Sequence, residues 1–362
     1  MTSKTHTFII AEVGVNHNGS VEEALRLVAL AAELGADAVK FQTFKAERSL
    51  TAVAPKADYQ MQATDRDESQ LDMVRKLELA DDEHARIKRA CQDAGIEFMS
   101  TPFDLPSIDL LTERLGVDRI KLASGEITNG PLLLHAARKR LPLLLSTGMA
   151  TLGEIERALA VIAFGLTDDD TEEPSTEAFE RAYASDQGQH ALRETVTLLH
   201  CTTEYPAPDD EVNLRAIATM ERAFGLPVGF SDHTVGVAIP TAAVALGATV
   251  VEKHFTSDTA QPGPDHAASS DPDQFGELVR SIRRVEAALG RPAKLPTRSE
   301  LGNRGIVRKS LVATRTVEPG ETIGADDVTA KRPGTGLSPM LYWDVVGTAA
   351  SGTFHPDSPL TR

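Results

Sequence analysis

Two short segments late in the chain each place a histidine two residues after a polar partner: Ser231 and His233 in GFSDH, and Glu252 and His254 in EKHF. Side chains alternate along a strand, so Glu252 and His254 share one face while Lys253 takes the other. Two neutral imidazoles meeting on adjacent strand ends, completed by water and substrate oxygens, suit Mn²⁺, Mg²⁺ or Co²⁺ in an open site. One histidine alone would read as a packing residue; the matched pair points to a metal. A second set of residues suits an anion. Lys40 and Lys121 supply positive charge, and Thr101, Ser124, Ser146 and Ser231 supply hydroxyl donors, a combination that fits phosphate with lysine as a point charge.

These residues close a phrase that recurs along the chain: a helix-period segment, a Gly-containing stop, a short apolar strand, then polar residues. It reads LGADAVKFQT (34–43), AGIEFMSTP (94–102), LGVDRIKLASG (115–125) and LGATVVEKHFT (246–256). TFIIAEVG, LPLLLSTG, VTLLHCT and PVGFSDH bring the strand candidates to eight between residues 7 and 256. Their apolar runs are continuous, as expected of strands covered on both faces. Ser20 and Glu23 form a capping box ahead of a helix ending at Gly35, and further helices are expected around 82–94, 105–115, 151–163, 212–224, 236–246 and 272–289.

Eight strands alternating with helices predict an α/β fold, a (β/α)8 TIM barrel, whose chemistry belongs at the carboxyl ends of the strands. Those ends carry Glu12, Lys40 with Gln42, Thr101, Lys121 with Ser124, Ser146 with Thr147, Thr202 with Thr203, Ser231 with His233, and Glu252 with His254. A doubly wound sheet would usually carry a Gly-rich phosphate loop, and no G-x-G-x-x-G or Walker sequence is present.

Composition narrows the class. The 362 residues, 41% apolar and 25% charged, fit a soluble chain with one large domain and a small one, or two middling ones. No run of 18 apolar residues is present, the N-terminus lacks a signal-peptide core, and Cys91 and Cys201 cannot form a disulfide framework. A cytoplasmic location is the expectation. A net charge of −16 argues against nucleic acid or an anionic membrane as partner, though not against a small anion. Residues 166–194 hold nine acidic residues against two arginines and read as a solvated surface insertion.

The motifs FIIAEVGVNHNGS, AVKFQTFKAE, STPFD, KLASGE, LLSTGMAT, HCTTEYPAP, GFSDHTVG, EKHFT and PGPDHAAS, in this order across nearly the whole chain, resemble those of the sialic acid synthase family. APKADYQ and ESQLDM in the loop after the second strand extend the likeness. The family condenses phosphoenolpyruvate with an N-acylated mannosamine-type aldose into nine-carbon 2-keto acids. The resemblance therefore implies a barrel over 1–290, a linker over 291–305, and over 306–362 a small, mostly β antifreeze-like (SAF) domain. The Thr-, Val- and Pro-Gly-rich tail fits such a domain. It further implies a homodimer in which Arg332 of KRPGTG reaches the partner's sugar site.

Carried onto this sequence, the resemblance gives His233 and His254 to the metal, with manganese the first expectation. Lys40, Thr101, Lys121, Ser124, Ser146 and Ser231 would contact phosphoenolpyruvate, and Glu12 and Gln42 would stand where the aldehyde meets the bond-forming carbon. Glu126, Tyr205, Asp265 and Arg332 would hold the sugar, with Thr203 and Glu252 among the binding residues. Thr203 stands where some members have Asn, and Gln261 where some have Arg. The activity implied is N-acetylneuraminate synthesis from N-acetylmannosamine; the alternative is N,N'-diacetyllegionaminate synthesis from 2,4-diacetamido-2,4,6-trideoxymannose. Rival classes are a Schiff-base aldolase using Lys40 or Lys121 and a non-catalytic, ice-interacting module built on the tail.

Overall fold

The structure is a computed structural model describing residues 6–57, 60–61, 64–65, 67–168 and 171–361. Asp58 and Tyr59 of APKADYQ lie outside the described residues, as do Asp169 and Asp170 of the acidic segment. The chain divides into two compact units, Met1–Gly290 and Arg291–Arg362.

In the first unit, eight strands form one parallel sheet: β1 (Phe8–Gly14), β2 (Ala38–Thr43), β3 (Glu97–Pro102), β4 (Ile120–Leu122), β5 (Leu143–Ser146), β6 (Val196–His200), β7 (Val228–Asp232) and β8 (Val250–His254). Hydrogen bonding runs β3-β2-β1-β8-β7-β6-β5-β4. β3 and β4 lie side by side and bring the sheet round to a nearly closed barrel. The helices lie outside and bury one face each. Val21–Glu33, for example, starts where Ser20 Oγ accepts the Glu23 N–H and buries Ala24, Leu27, Val28 and Ala31.

Period-2 alternation separates two lumen layers. Ile10, Ala38, Met99, Leu144, Leu199 and Val250 fill the barrel as a dry plug. Two residues further along, the same strands present Glu12, Lys40, Thr101, Ser146, Cys201 and Glu252. Gly229 belongs to the plug: a Cβ there would lie 2.6 Å from Leu199 Cδ2 and 2.7 Å from the Val250 Cβ, so only glycine leaves room for both. The plug thus sets a floor on which the polar layer must sit.

Two expectations need correction. The acidic 166–194 stretch is not a solvated loop, because it contains helices Thr176–Ala184 and Asp186–Thr195, capped by Ser175 and Ser185. The charges line the outer faces, while Ala178 and Leu192 are buried and Phe179 meets Phe164 edge-on at 5.2 Å. Leu192→Ala should therefore cost about 2–5 kcal/mol, the usual range for a truncated core leucine. A urea unfolding midpoint lowered with unchanged slope checks it.

The expected 291–305 linker contains most of a helix, Arg298–Val307, held by a capping box between Thr297 and Glu300. Beyond it, β9 (Ser310–Ala313) pairs antiparallel with β10 (Val328–Lys331). Leu311, Ala313, Val317, Ile323, Val328 and Phe354 build this unit's own small core.

Candidate active site

The polar layer opens into a cavity of about 190 Å³ at the carboxyl ends of the strands. Fourteen of the sixteen candidate residues line it: Glu12, Lys40, Gln42, Thr101, Lys121, Ser124, Ser146, Thr203, Tyr205, Ser231, His233, Glu252, His254 and Asp265. Glu126 does not. It lies in the turn after β4, where its carboxylate accepts from Asn129 Nδ2 at 2.6 Å and steadies the next helix start. Arg332 belongs to the second unit, exposed just past β10. Phe103 and Cys201 also line the cavity and were not singled out as site residues, although Phe103 lies within STPFD.

Charge in the cavity floor is arranged as an alternating network. Lys40 Nζ forms an ion pair with Glu12 Oε2 at 2.5 Å and donates to Thr101 Oγ1 at 3.0 Å. Glu252 Oε1 accepts from Lys121 Nζ and from Ser231 Oγ, both at 2.9 Å, and Lys40 stands 3.7 Å from Glu252 Oε2. All four charged side chains are buried. Burial alone would raise both carboxyls. At Glu252, Lys121 and Lys40 overcome it and hold the group well below the usual carboxylate range. At Glu12, burial wins over Lys40, and the charge of Glu252 adds to the rise. Two neighbouring carboxyls are thereby pushed apart, the pattern by which one site keeps an ionised group beside one able to exchange a proton near neutrality.

The two histidines stand above this floor with ring centroids 5.6 Å apart, and the Tyr205 ring lies 4.2 Å from His233 and 5.5 Å from His254. His233 Nδ1 lies 2.5 Å from the Thr202 carbonyl, which fixes the ring as an Nδ1–H donor and leaves Nε2 its lone pair. Burial pushes His233 down to about 4 and His254 well below its ordinary value. Both rings are thus neutral, the form that binds metal. Among the described residues His254 Nδ1 is buried without a hydrogen-bond partner, as are Ser146 Oγ and Glu252 Oε2, the last facing Lys40 only as an ion pair. Buried polar atoms left unpaired at one cavity fit a site built for a ligand. Among the described residues no group of three or more His, Cys, Asp or Glu is placed to hold a metal, so a metal here would take two imidazoles and draw its other ligands from water or substrate.

A buried ion pair on the helix-facing side braces both histidine strands. Lys253 Nζ lies 2.5 Å from Asp232 Oδ2 and donates to the Thr234 carbonyl at 2.7 Å, while Asp232 Oδ1 accepts from the Thr234 N–H and hydroxyl. Asp232 precedes His233 and Lys253 precedes His254, so this pair, turned away from the cavity, ties the two strand ends together.

Residues 27–294 match the NeuB family model, and residues 308–362 match the SAF domain. The chain belongs to the NeuB family. Membership makes it an enzyme of the sialic acid synthase type, a phosphoenolpyruvate-dependent transferase that forms a carbon–carbon bond. It is 46% identical to N,N'-diacetyllegionaminic acid synthase of Campylobacter jejuni, over 97% of this chain and 98% of that one. It is 45% identical to the enzyme of the same name from Legionella pneumophila, over 95% and 90% of the two chains. The crystal structure of N-acetylneuraminic acid synthetase from Leptospira borgpetersenii superposes with a TM-score of 0.67 at 31% identity, covering 83% of this chain and 91% of that one. Among the described residues of this NeuB-family chain, no helix is long and apolar enough to cross a membrane.

Proposed function

We propose that this enzyme is an N,N'-diacetyllegionaminic acid synthase, condensing phosphoenolpyruvate with 2,4-diacetamido-2,4,6-trideoxymannose and water to give the 2-keto acid and phosphate. The observation that carries the choice of sugar is the 46% identity, over nearly the full length of both chains, to a synthase of that product. N-acetylmannosamine, the sugar first expected from the motifs, becomes the alternative. Purified enzyme offered the two sugars separately should release phosphate with a kcat/KM at least tenfold higher for the diacetamido sugar. A preference for N-acetylmannosamine would reverse the reading.

In the reaction, the C3 carbon of phosphoenolpyruvate bonds to the aldehyde carbon, leaving an electron-poor C2. Water adds at C2, and the C2–O bond to phosphate then breaks. Lys40 and Lys121 hold the anionic substrate by charge, while Thr101, Ser124, Ser146 and Ser231 offer hydroxyls to its oxygens. Ser146 Oγ, buried and without a hydrogen-bond partner among the described residues, has a hydrogen bond to give. Glu12, raised by burial, gives a proton to the aldehyde oxygen as it becomes a hydroxyl and takes one back from the adding water. Glu252 stays ionised and keeps Lys121 and Ser231 aimed into the cavity. His233 and His254 would hold the divalent metal, Mn²⁺ first and Mg²⁺ or Co²⁺ as alternatives; when bound, such an ion polarises a carbonyl oxygen.

Arg332 is assigned to the partner subunit's sugar pocket in a homodimer. The support is the SAF domain that carries it and the position of KRPGTG within it. Arg332→Ala should cost about 1.5–3 kcal/mol of sugar binding, the range for a hydrogen bond to a charged group. Mixing Arg332→Ala chains with His254→Ala chains, each weak alone, should restore activity, because some mixed dimers carry one intact site. No recovery after demonstrated subunit exchange would place Arg332 in its own chain's site or in none.

A further inference from the structure

A second cavity, of about 280 Å³, lies beside the first and shares Gln42, Phe103 and Asp265 with it. Its remaining walls come mainly from the chain after β2 and from helix Gln70–Arg75, the stretch that contains ESQLDM. Nothing in the chemistry above uses them. Phe44 and Phe103 meet edge-on with ring centroids 6.1 Å apart, and Met73 and Leu77 are buried close by, so one side is apolar. The other feature is polar and unmet: Gln70 lines this cavity, and its Oε1 is buried with no hydrogen-bond partner among the described residues. A buried acceptor without a donor is costly, so a ligand that brings an N–H gains by meeting it.

The order of groups says which part of the substrate comes here. Lysines and hydroxyls hold the phosphate side, Glu12 stands at the reacting carbons, and Gln42, Phe103 and Asp265 form the wall between the cavities. A sugar with its aldehyde at Glu12 therefore extends its far carbons past that wall. We infer that the second cavity is the specificity pocket for carbons 4 to 6 of the sugar, in which Gln70 accepts the N–H of a 4-acetamido group and Met73 and Leu77 pack against a 6-methyl group. This rests on the proposed function and extends it to named residues. N-acetylmannosamine would bring a 6-hydroxyl against the apolar wall, where it finds no partner and pays for its lost water.

The test compares Gln70→Leu and Met73→Gln with the wild type, measuring kcat/KM for both sugars by phosphate release, KM for phosphoenolpyruvate, and thermal unfolding. Each variant should lower the preference for the diacetamido sugar over N-acetylmannosamine by about tenfold, with KM for phosphoenolpyruvate within about twofold of wild type. Gln70 is only half-buried on its helix's first turn, so its variant decides the matter if Met73→Gln fails to fold. A wild type that prefers the diacetamido sugar and variants that keep the full preference would overturn the pocket and leave the function standing. A wild type that prefers N-acetylmannosamine would overturn both.

Discussion

His254→Ala, and separately His233→Ala, should leave the chain folded and abolish turnover. Both residues sit at the rim of the polar layer, clear of the apolar plug formed by Ile10, Ala38, Met99, Leu144, Leu199 and Val250, so truncation removes the imidazole proposed to hold the metal and leaves the packing alone. Two buried, neutral imidazoles are an expensive arrangement unless something uses their lone pairs, and His254 Nδ1 has no hydrogen-bond partner among the described residues. Mn²⁺ binding gives a readout independent of turnover. Titration calorimetry should find one site per chain in the wild type and binding at least tenfold weaker in either variant, consistent with losing one of two protein ligands. EDTA should silence the wild type and Mn²⁺ restore it. If either variant kept Mn²⁺ affinity and near-normal activity, the two-histidine site would be wrong.

Lys121→Met should lower kcat/KM for phosphoenolpyruvate by about 30- to 5,000-fold, corresponding to about 2–5 kcal/mol for truncating one member of a buried, hydrogen-bonded charge pair. The residue serves twice. It offers positive charge to the substrate, and it balances Glu252, which otherwise keeps only Ser231 as a hydrogen-bond donor and Lys40 at 3.7 Å. The same pairing argues against a Schiff-base aldolase. Lys40 is engaged by Glu12 and Thr101, and Lys121 by Glu252, so neither amine is presented as a free nucleophile. Borohydride added during turnover should leave both lysines unmodified; a trapped adduct on either would restore the aldolase.

The barrel was legible because its strands end abruptly in chemistry. Apolar pairs such as Val250-Val251 give way to Glu252 and His254 at the level where the plug stops, so one transition marked both the element and the site. Glu252 and His254 face the cavity, and Lys253 between them braces Asp232 on the other side. Helix Gly130–Arg138 is absent from the expected set although Asn129 and Pro131 mark its start, because at nine residues it is short and follows the β4 turn closely. In 166–194 the density of acids masked the burial of Ala178 and Leu192. Of the second cavity only the pieces were legible: Gln42, Asp265 and the motifs carrying Gln70 and Phe103 stand out one by one, but their meeting at one pocket across long separations left no mark in the sequence. Nor did the turn that withdraws Glu126 from the cavity have one, because its KLASGE context gives no hint of the bond to Asn129.

Joining phosphoenolpyruvate to a sugar aldehyde by the proposed route expels phosphate by breaking the bond between carbon 2 and the bridging oxygen. Phosphoenolpyruvate labelled with ¹⁸O in its bridging oxygen, turned over with the diacetamido sugar, tests this most directly by mass spectrometry of both products. The released phosphate should carry the label, and no phosphate should be released without sugar. Label retained in the keto acid, or phosphate released equally in the absence of sugar, would contradict that route.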